Sequence, residues 1–274
     1  MLSRSSARAP EPQLSLRQAL VLGALHGPAE LLPISSSGHL TAVPWLLGWR
    51  YDELDRELRK AFEVALHAGT AAALLIALRE EIEQSLRALT GRRLGLIAFS
   101  FAPPALAGYA FERSIERRLG TPPTVAAGLV AGAVAMALAD RAPQRRSHDQ
   151  AGPVDGLWLG LAQALALVPG VSRNGATLAA ARLLRFARAD ANRLSRHAAL
   201  PVIAGAAVLK GFRLSRRGLD PPMRSAFAAG TAASFASTLL STWLIRRVER
   251  DRSPLPYATY RVALAALMIR RLAR

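Results

Sequence analysis

Apolar residues in this chain come in long blocks nearly free of charge, and the charges gather in short clusters between the blocks. That segregation does not have the period of a helix lying on a soluble core. It is what a bilayer demands, because a charge is costly at the hydrocarbon centre. Ala61 to Leu78 carries one acid, Glu63, near its start, and as a helix its 18 residues reach about 27 Å, enough to cross. Leu94 to Phe111 is uncharged, with Pro103 and Pro104 in its middle. Pro122 to Ala139 is uncharged and rich in Gly and Ala, which suits close helix packing in lipid. Ala226 to Ile245 reads as a clean span, and Tyr257 to Ile269 as a shorter one interrupted by Arg261.

Two blocks behave differently. Leu14 to Trp49 and Val154 to Leu184 each begin as an apolar helix, break near a Pro, pass through a polar Ser/Gly loop and become apolar again. At an offset of 137 residues they superpose: Leu22-Gly23 falls on Leu159-Gly160, Ser35 on Ser172 and Gly38 on Gly175, while Ala68-Gly69 lies near Ala204-Gly205. A duplication of broken apolar segments points to a binding site between two repeats, since non-helical backbone at membrane depth is tolerated where it is buried in protein or lines a cavity. Chance similarity among Ala/Leu/Gly-rich segments is the competing explanation. The organisation expected is a polar tail at 1–13 and one membrane domain at 14–274, with repeat one at about 14–140 and repeat two at about 153–270.

Composition sharpens this picture in two places. The mean hydropathy of +0.19 is low for a membrane protein, and Arg-dense connections account for it. The net charge of +17 invites a nucleic-acid reading, but the basic residues punctuate the apolar runs, as at Arg92-Arg93, Arg145-Arg146, Arg216-Arg217, Arg246-Arg247 and Arg270-Arg271. Juxtamembrane clusters meeting anionic lipid headgroups explain that distribution, and no nucleic-acid partner is expected. With no cysteine the chain has neither disulfides nor Cys-ligated metals. No cleavable signal peptide is read in the first residues.

The first constellation of interest runs from His26 through Glu30, Pro33, Ser35, Ser36, Ser37 and Gly38 to His39. His26 and Glu30 are four apart and share a helix face. The serines precede a second apolar stretch, so they offer hydroxyls and first-turn backbone N–H groups, which are phosphate-binding groups. A capped, solvated turn is the plain alternative. The second constellation is Pro169-Gly170-Val171-Ser172-Arg173-Asn174-Gly175-Ala176-Thr177. Its Arg173 sits between apolar runs and calls for an anion, unless it snorkels to the interface from a helix end. Hydroxyls, imidazole, carboxylate and guanidinium together suit phosphoryl transfer. No Walker-type loop or zincin motif is present.

Glu30 to His39 and Pro169 to Thr177 closely resemble the two signature loops of the undecaprenyl-diphosphate phosphatase (bacitracin-resistance) family, with weaker similarity through Ala61-Phe62-Glu63, Pro103-Pro104-Ala105 and Leu200-Pro201. The resemblance implies an all-α polytopic protein of two inverted-topology repeats, each with a re-entrant helical hairpin, in the bacterial cell membrane with its site facing outward. It implies hydrolysis of undecaprenyl diphosphate to the monophosphate, recycling the lipid carrier of peptidoglycan synthesis, with membrane lipids around it and a homodimer left open. It also implies a divalent cation, Mg²⁺ or Ca²⁺. Ser36 looks like the nucleophile, His39 its base or a competing nucleophile, Glu30 an acid of the catalytic motif and Arg173 the stabiliser of transition-state charge. Ser35, Ser37, Ser172, Asn174 and Thr177 match substrate- and phosphate-binding positions, and Glu30 with His26 matches the metal position. Three departures stand out: His26 where the family has Glu or Gln, Asn174 where serine is usual, and Arg196-His197 in a stretch that is normally apolar. The alternative of another class is a lipid-phosphate transporter or flippase that binds without hydrolysis.

Overall fold

The computed structural model describes residues 13–215, 221–245 and 253–273. The tail expected at 1–13, all but Gln13, and the basic pairs Arg216-Arg217 and Arg246-Arg247 lie outside the described residues. What is described is helical, with one isolated bridge between Arg146 and Phe186 and no strand among the described residues. In chain order the helices are α1 (Leu16–Leu31), α2 (Ser36–Leu46), α3 (Arg56–Ala77), α4 (Arg79–Arg87), α5 (Gly91–Leu119), α6 (Pro122–Ala139), α7 (Pro153–Leu165), α8 (Arg173–Leu183), α9 (Arg188–Ser215), α10 (Pro221–Leu240) and α11 (Leu255–Leu272).

Caps and prolines explain many of the boundaries. Ser15 opens α1 with a capping box closed by Gln18, Asp55 caps α3 through Leu58, and prolines stand in the first turn of α6, α7 and α11. Among the described residues three helices are long and apolar enough to cross a membrane: Arg56–Ala77, Gly91–Phe111 within α5, and Pro122–Ala139. Two expected spans are redrawn. The helix expected at Ala226 to Ile245 starts earlier, at Pro221, and ends at Leu240, with a turn at 241–242 before the chain reaches Ile245. Its entry is fixed by Pro221-Pro222, where a fixed φ suits a helix start. The last helix is not interrupted at Arg261. That side chain is fully buried and turns toward protein carbonyls, so the helix runs uninterrupted from Leu255 to Leu272.

The helices pair closely: α1 lies along α10 and α7 along α5, while α6 packs on α11 and α3 on α9. Glycines set the approach of the first two pairs. A side chain at Gly23 would run into the Gly230 carbonyl of α10, and one at Gly160 would sit 2.5 Å from the Phe99 carbonyl of α5. Backbones can approach there because α1 at Gly23 and α7 at Gly160 present no Cβ. The largest apolar cluster joins Leu22, Phe62, Leu66, Met223 and Phe227 with Tyr51 and Leu54, locking α1, α3 and α10 together. A second, of Leu159, Leu178, Phe186, Leu194 and Ala198, does the same for α7, α8 and α9. Between these two bodies lie the breaks at 32–35 and 166–172.

Candidate active site

Both breaks end on the same device. Ser35 and Ser172 are the N-cap residues of α2 and α8, and each holds a left-handed backbone, φ 74° and 68°. Each hydroxyl accepts from the glycine amide three residues on, Gly38 at 3.1 Å and Gly175 at 3.2 Å. A serine with positive φ is strained by roughly 1–3 kcal/mol, and such strain persists where the surroundings over-determine it. Here a Cβ at Gly38 or Gly175 would crowd its own cap serine, within 3.4 Å, so the first turn closes tightly over the side chain. The first residues of the two helices, Ser36 and Arg173, both donate to Glu30 through their side chains.

Glu30 is the hub. One carboxylate oxygen accepts from Arg173 Nη2, and the other accepts from Ser36 Oγ at 2.6 Å and lies 3.7 Å from His67 Nε2. The Glu30 side chain is 7% exposed and that of Arg173 19%, so this pair meets away from bulk water. Asn174 donates to the Leu31 carbonyl at 3.1 Å and accepts from Ser195 at 2.9 Å, fastening the start of α8 to the end of α1. Ser36 and Ser37 are half-buried. Ser35, Ser172 and Thr177 are buried, with hydroxyls committed to the helix starts and, for Thr177, to Ser195 at 2.5 Å. These three shape the loops; Glu30, Arg173 and Asn174 line the cleft, and Ser36 is joined to it through its hydrogen bond to Glu30.

His39 faces elsewhere. Its Nδ1–H donates to the Ser35 carbonyl at 2.7 Å, so in the neutral ring Nε2 carries the lone pair and accepts from the Tyr260 hydroxyl at 2.7 Å. The rings stack with centroids 5.6 Å apart. The proton acceptor that touches Ser36 is Glu30.

The cleft at this hub is lined by Glu30, Arg173 and Asn174 on its polar side and by Leu74, Leu200 and Ile245 on its apolar side, with a volume of about 540 Å³ counting its open mouth. Arg196 also reaches it and is held at 3.0 Å by Glu81 of α4, which accepts from His197 at 2.8 Å as well. The pair that departs from the family pattern is thus part of a tie between α4 and α9. Bonded to His197 and flanked by Arg196, the Glu81 carboxyl is lowered to about 2 despite partial burial.

Sequence reasoning passed over three residues here. Arg261 donates to the carbonyls of Gly170 and Val171 at 2.9 and 2.8 Å, supporting the second loop from below. Tyr260 comes from the far end of the chain to meet His39, and nothing local announces that pairing. His67 lies inside an apolar span, four residues after Glu63, and an ionisable group in such a run is itself the signal that could have found it. His67 brings its ring to 4.4 Å from that of His26, and His26, Glu30 and His67 offer ligand atoms all within 4.8 Å of one another. One carboxylate and two imidazoles fit Mg²⁺ or Ca²⁺ poorly, since both prefer oxygen.

The comparisons with known proteins fall on this same framework. Residues 19–267 match the family model described as bacitracin resistance protein BacA. A protein of Geobacter sulfurreducens named undecaprenyl-diphosphatase is 39% identical over 91% of this chain and 95% of its own length. Proteins of the same name from Trichlorobacter lovleyi and Thermomicrobium roseum are 38% and 37% identical, over 91% and 93% of this chain and 94% and 98% of theirs. The match spans both capped loops and nearly every helix between α1 and α11, so this all-α membrane protein belongs to the bacitracin resistance protein BacA family.

Proposed function

We propose that the chain hydrolyses undecaprenyl diphosphate to undecaprenyl phosphate and phosphate, an activity that recycles the carrier lipid of cell-wall synthesis and confers bacitracin resistance. The observation that carries this reading is the Ser36–Glu30–Arg173 array, whose Glu30 and Arg173 line a cleft with one apolar wall. A diphosphate head fits the polar side, where it meets two helix N-termini and a guanidinium, and the first prenyl units fit against Leu74, Leu200 and Ile245.

In the step this geometry supports, Ser36 Oγ attacks the terminal phosphorus as its proton passes to Glu30, 2.6 Å away. The bond from that phosphorus to the bridging oxygen breaks, and undecaprenyl phosphate leaves with the bond pair. Water then hydrolyses the phosphoserine, releasing phosphate and returning Ser36. Arg173 exchanges its Glu30 partner for the phosphoryl oxygens, which holds developing charge and frees the carboxylate to act as base. His39, hydrogen-bonded to Ser35 and Tyr260, fixes the first loop in this reading.

The topology proposed is two inverted repeats within one membrane domain, 14–274. Support comes from the offset of 137, which carries α2 (Ser36–Leu46) onto α8 (Arg173–Leu183), and from the crossed pairing of α1 with α10 and α7 with α5. At 11 residues each, α2 and α8 extend about 17 Å, too short to span, as re-entrant hairpins require. The site is proposed to face outward in the bacterial cell membrane. A chain without cysteine makes that easy to check: a single cysteine at Asn174 in intact cells should react with a membrane-impermeant maleimide, and labelling only after lysis would place the site inside.

The deciding experiment is phosphate release from undecaprenyl or farnesyl diphosphate by the detergent-purified protein, beside Ser36→Ala and Arg173→Ala. Release that both substitutions abolish supports the hydrolase. A folded wild type that binds the lipid but releases nothing points instead to a lipid-phosphate transporter.

A further inference from the structure

We propose that His26, His67 and Glu30 form a binding site for a nitrogen-preferring first-row dication of the Zn²⁺ class, with the two imidazoles binding through Nε2. The argument starts with hydrogens. His67 Nδ1 lies 2.8 Å from the Glu63 carbonyl, which only accepts, so Nδ1 carries a proton and in the neutral ring Nε2 keeps the lone pair. For His26 the partners lie further along a chain that crosses three helices. Ser234 of α10 donates its proton to the Leu66 carbonyl at 2.8 Å, so it accepts from Thr70 of α3 at 2.9 Å. With its single proton given to Ser234, Thr70 accepts from His26 Nδ1 at 2.9 Å. The relay His26 to Thr70 to Ser234 to Leu66 leaves a lone pair on His26 Nε2.

That atom is the second observation. His26 is 1% exposed, and its Nε2 has no hydrogen-bond partner among the described residues. A buried acceptor left bare is costly, and the His26 ring stands within ligand reach of Glu30 and His67. Both imidazoles therefore have Nδ1–H tied to the protein and Nε2 turned inward, the arrangement that orients metal-ligating histidines. Glu30 Oε2 completes a set of two nitrogens and one oxygen. Three protein ligands with room for a fourth from solvent or substrate describe an open zinc-type site, and nitrogen donors favour such ions over Mg²⁺ or Ca²⁺. Binding of the ion stands on this geometry alone, and only its bearing on catalysis rests on the hydrolase reading.

The test uses the full chain in detergent, stripped with a chelator and titrated with Co²⁺ as a visible-absorption probe, followed by competition with Zn²⁺ and with millimolar Mg²⁺. One Co²⁺ per chain is expected, displaced by Zn²⁺ and not by Mg²⁺. His67→Gln and His26→Gln should each weaken binding by roughly two orders of magnitude, and Thr70→Val, which removes only the relay, by about tenfold or more. In His26→Glu the preference should move toward Mg²⁺ and Ca²⁺. Thermal unfolding of each variant separates lost binding from lost fold. Cobalt binding unchanged in both histidine variants, or displaced as readily by Mg²⁺ as by Zn²⁺, overturns the proposal. Phosphate release measured on the same samples keeps the two ideas apart: metal binding without hydrolysis sinks the hydrolase reading alone, and hydrolysis by a chain that binds no cobalt sinks the site alone.

Discussion

The first loop turns between its helices in residues 32–35, and the second takes residues 166–172 to do the same. Both finish on a left-handed serine that caps a short helix through the glycine three residues on. Beyond that shared device they diverge. The first loop delivers a hydroxyl, Ser36, beside the carboxylate of its own preceding helix. The second delivers a guanidinium and an amide, Arg173 and Asn174, and its longer path is supported from below by Arg261. One backbone solution, used twice, therefore carries the two halves of the proposed reaction: the group that would attack, and the charge that would receive the substrate. The comparison teaches that the cap is architecture and that chemistry resides in the residue immediately after it.

The sharpest way to break that division is at the two residues following the caps. Ser36→Ala should lower phosphate release by at least about 10³-fold, since removal of a nucleophile leaves only binding and charge stabilisation. Arg173→Lys keeps the charge and loses the planar fork, and a drop of about 10²-fold in kcat is expected. Equal losses in the two variants would argue against different roles.

Next comes the support that distinguishes the loops. Arg261→Met leaves the Gly170 and Val171 carbonyls without their donor, and a loss of about 2–3 kcal/mol of stability is expected from denaturant unfolding in detergent. Amide exchange should quicken at 169–172 and much less at 32–35. Uniform quickening would show that the clamp serves the whole fold.

Smaller still are the caps themselves. Ser35→Ala and Ser172→Ala should each cost about 1 kcal/mol, because the cap is lost while the left-handed strain stays. Ser35→Gly and Ser172→Gly should cost only a few tenths, since glycine relieves that strain. A marked inequality between the two positions would sink the claim of a common device.

The mildest effect concerns the tie of α9 to α4. With the Glu81 carboxyl lowered from 4.5 to about 2, its contacts stabilise the fold fully above about pH 4.5 and fade as pH falls toward 2. The Tm difference between wild type and Glu81→Gln should shrink across that window. A difference constant from pH 6 to pH 2 would mean that the carboxylate is not what holds Arg196 and His197.

Much of this was legible in the residues. Blocks nearly free of charge located the helices long and apolar enough to cross, and Pro33 and Pro169 marked the breaks. The offset of 137 matched Ser35 with Ser172 before any backbone angle was known, because a capping hydroxyl followed by a glycine is a local requirement. What the sequence hid was long-range. Arg261 read as an interruption, since a charge in an apolar run looks alike whether it faces lipid or a ring of carbonyls. Tyr260 reaches His39 across 221 positions, and His67 meets His26 from another helix. Ser35, Ser172 and Thr177 read as phosphate ligands by their type, yet their burial follows from packing that no local pattern encodes.

Tyr260 and Arg261 are neighbours on one helix, and each touches a different loop: the first through His39, the second through the carbonyls of Gly170 and Val171. Successive residues on a helix point about 100° apart. The last helix thus works as a rigid yoke whose two arms hold the loop before Ser36 and the loop before Arg173. A tilt of that yoke displaces both arms together, so the distance from hydroxyl to guanidinium is set by a segment that contributes no reacting atom. Shortening the chain before Leu255 would release both arms at once and leave the bonds to Glu30 and the Asn174–Leu31 bond as the ties between the two loops.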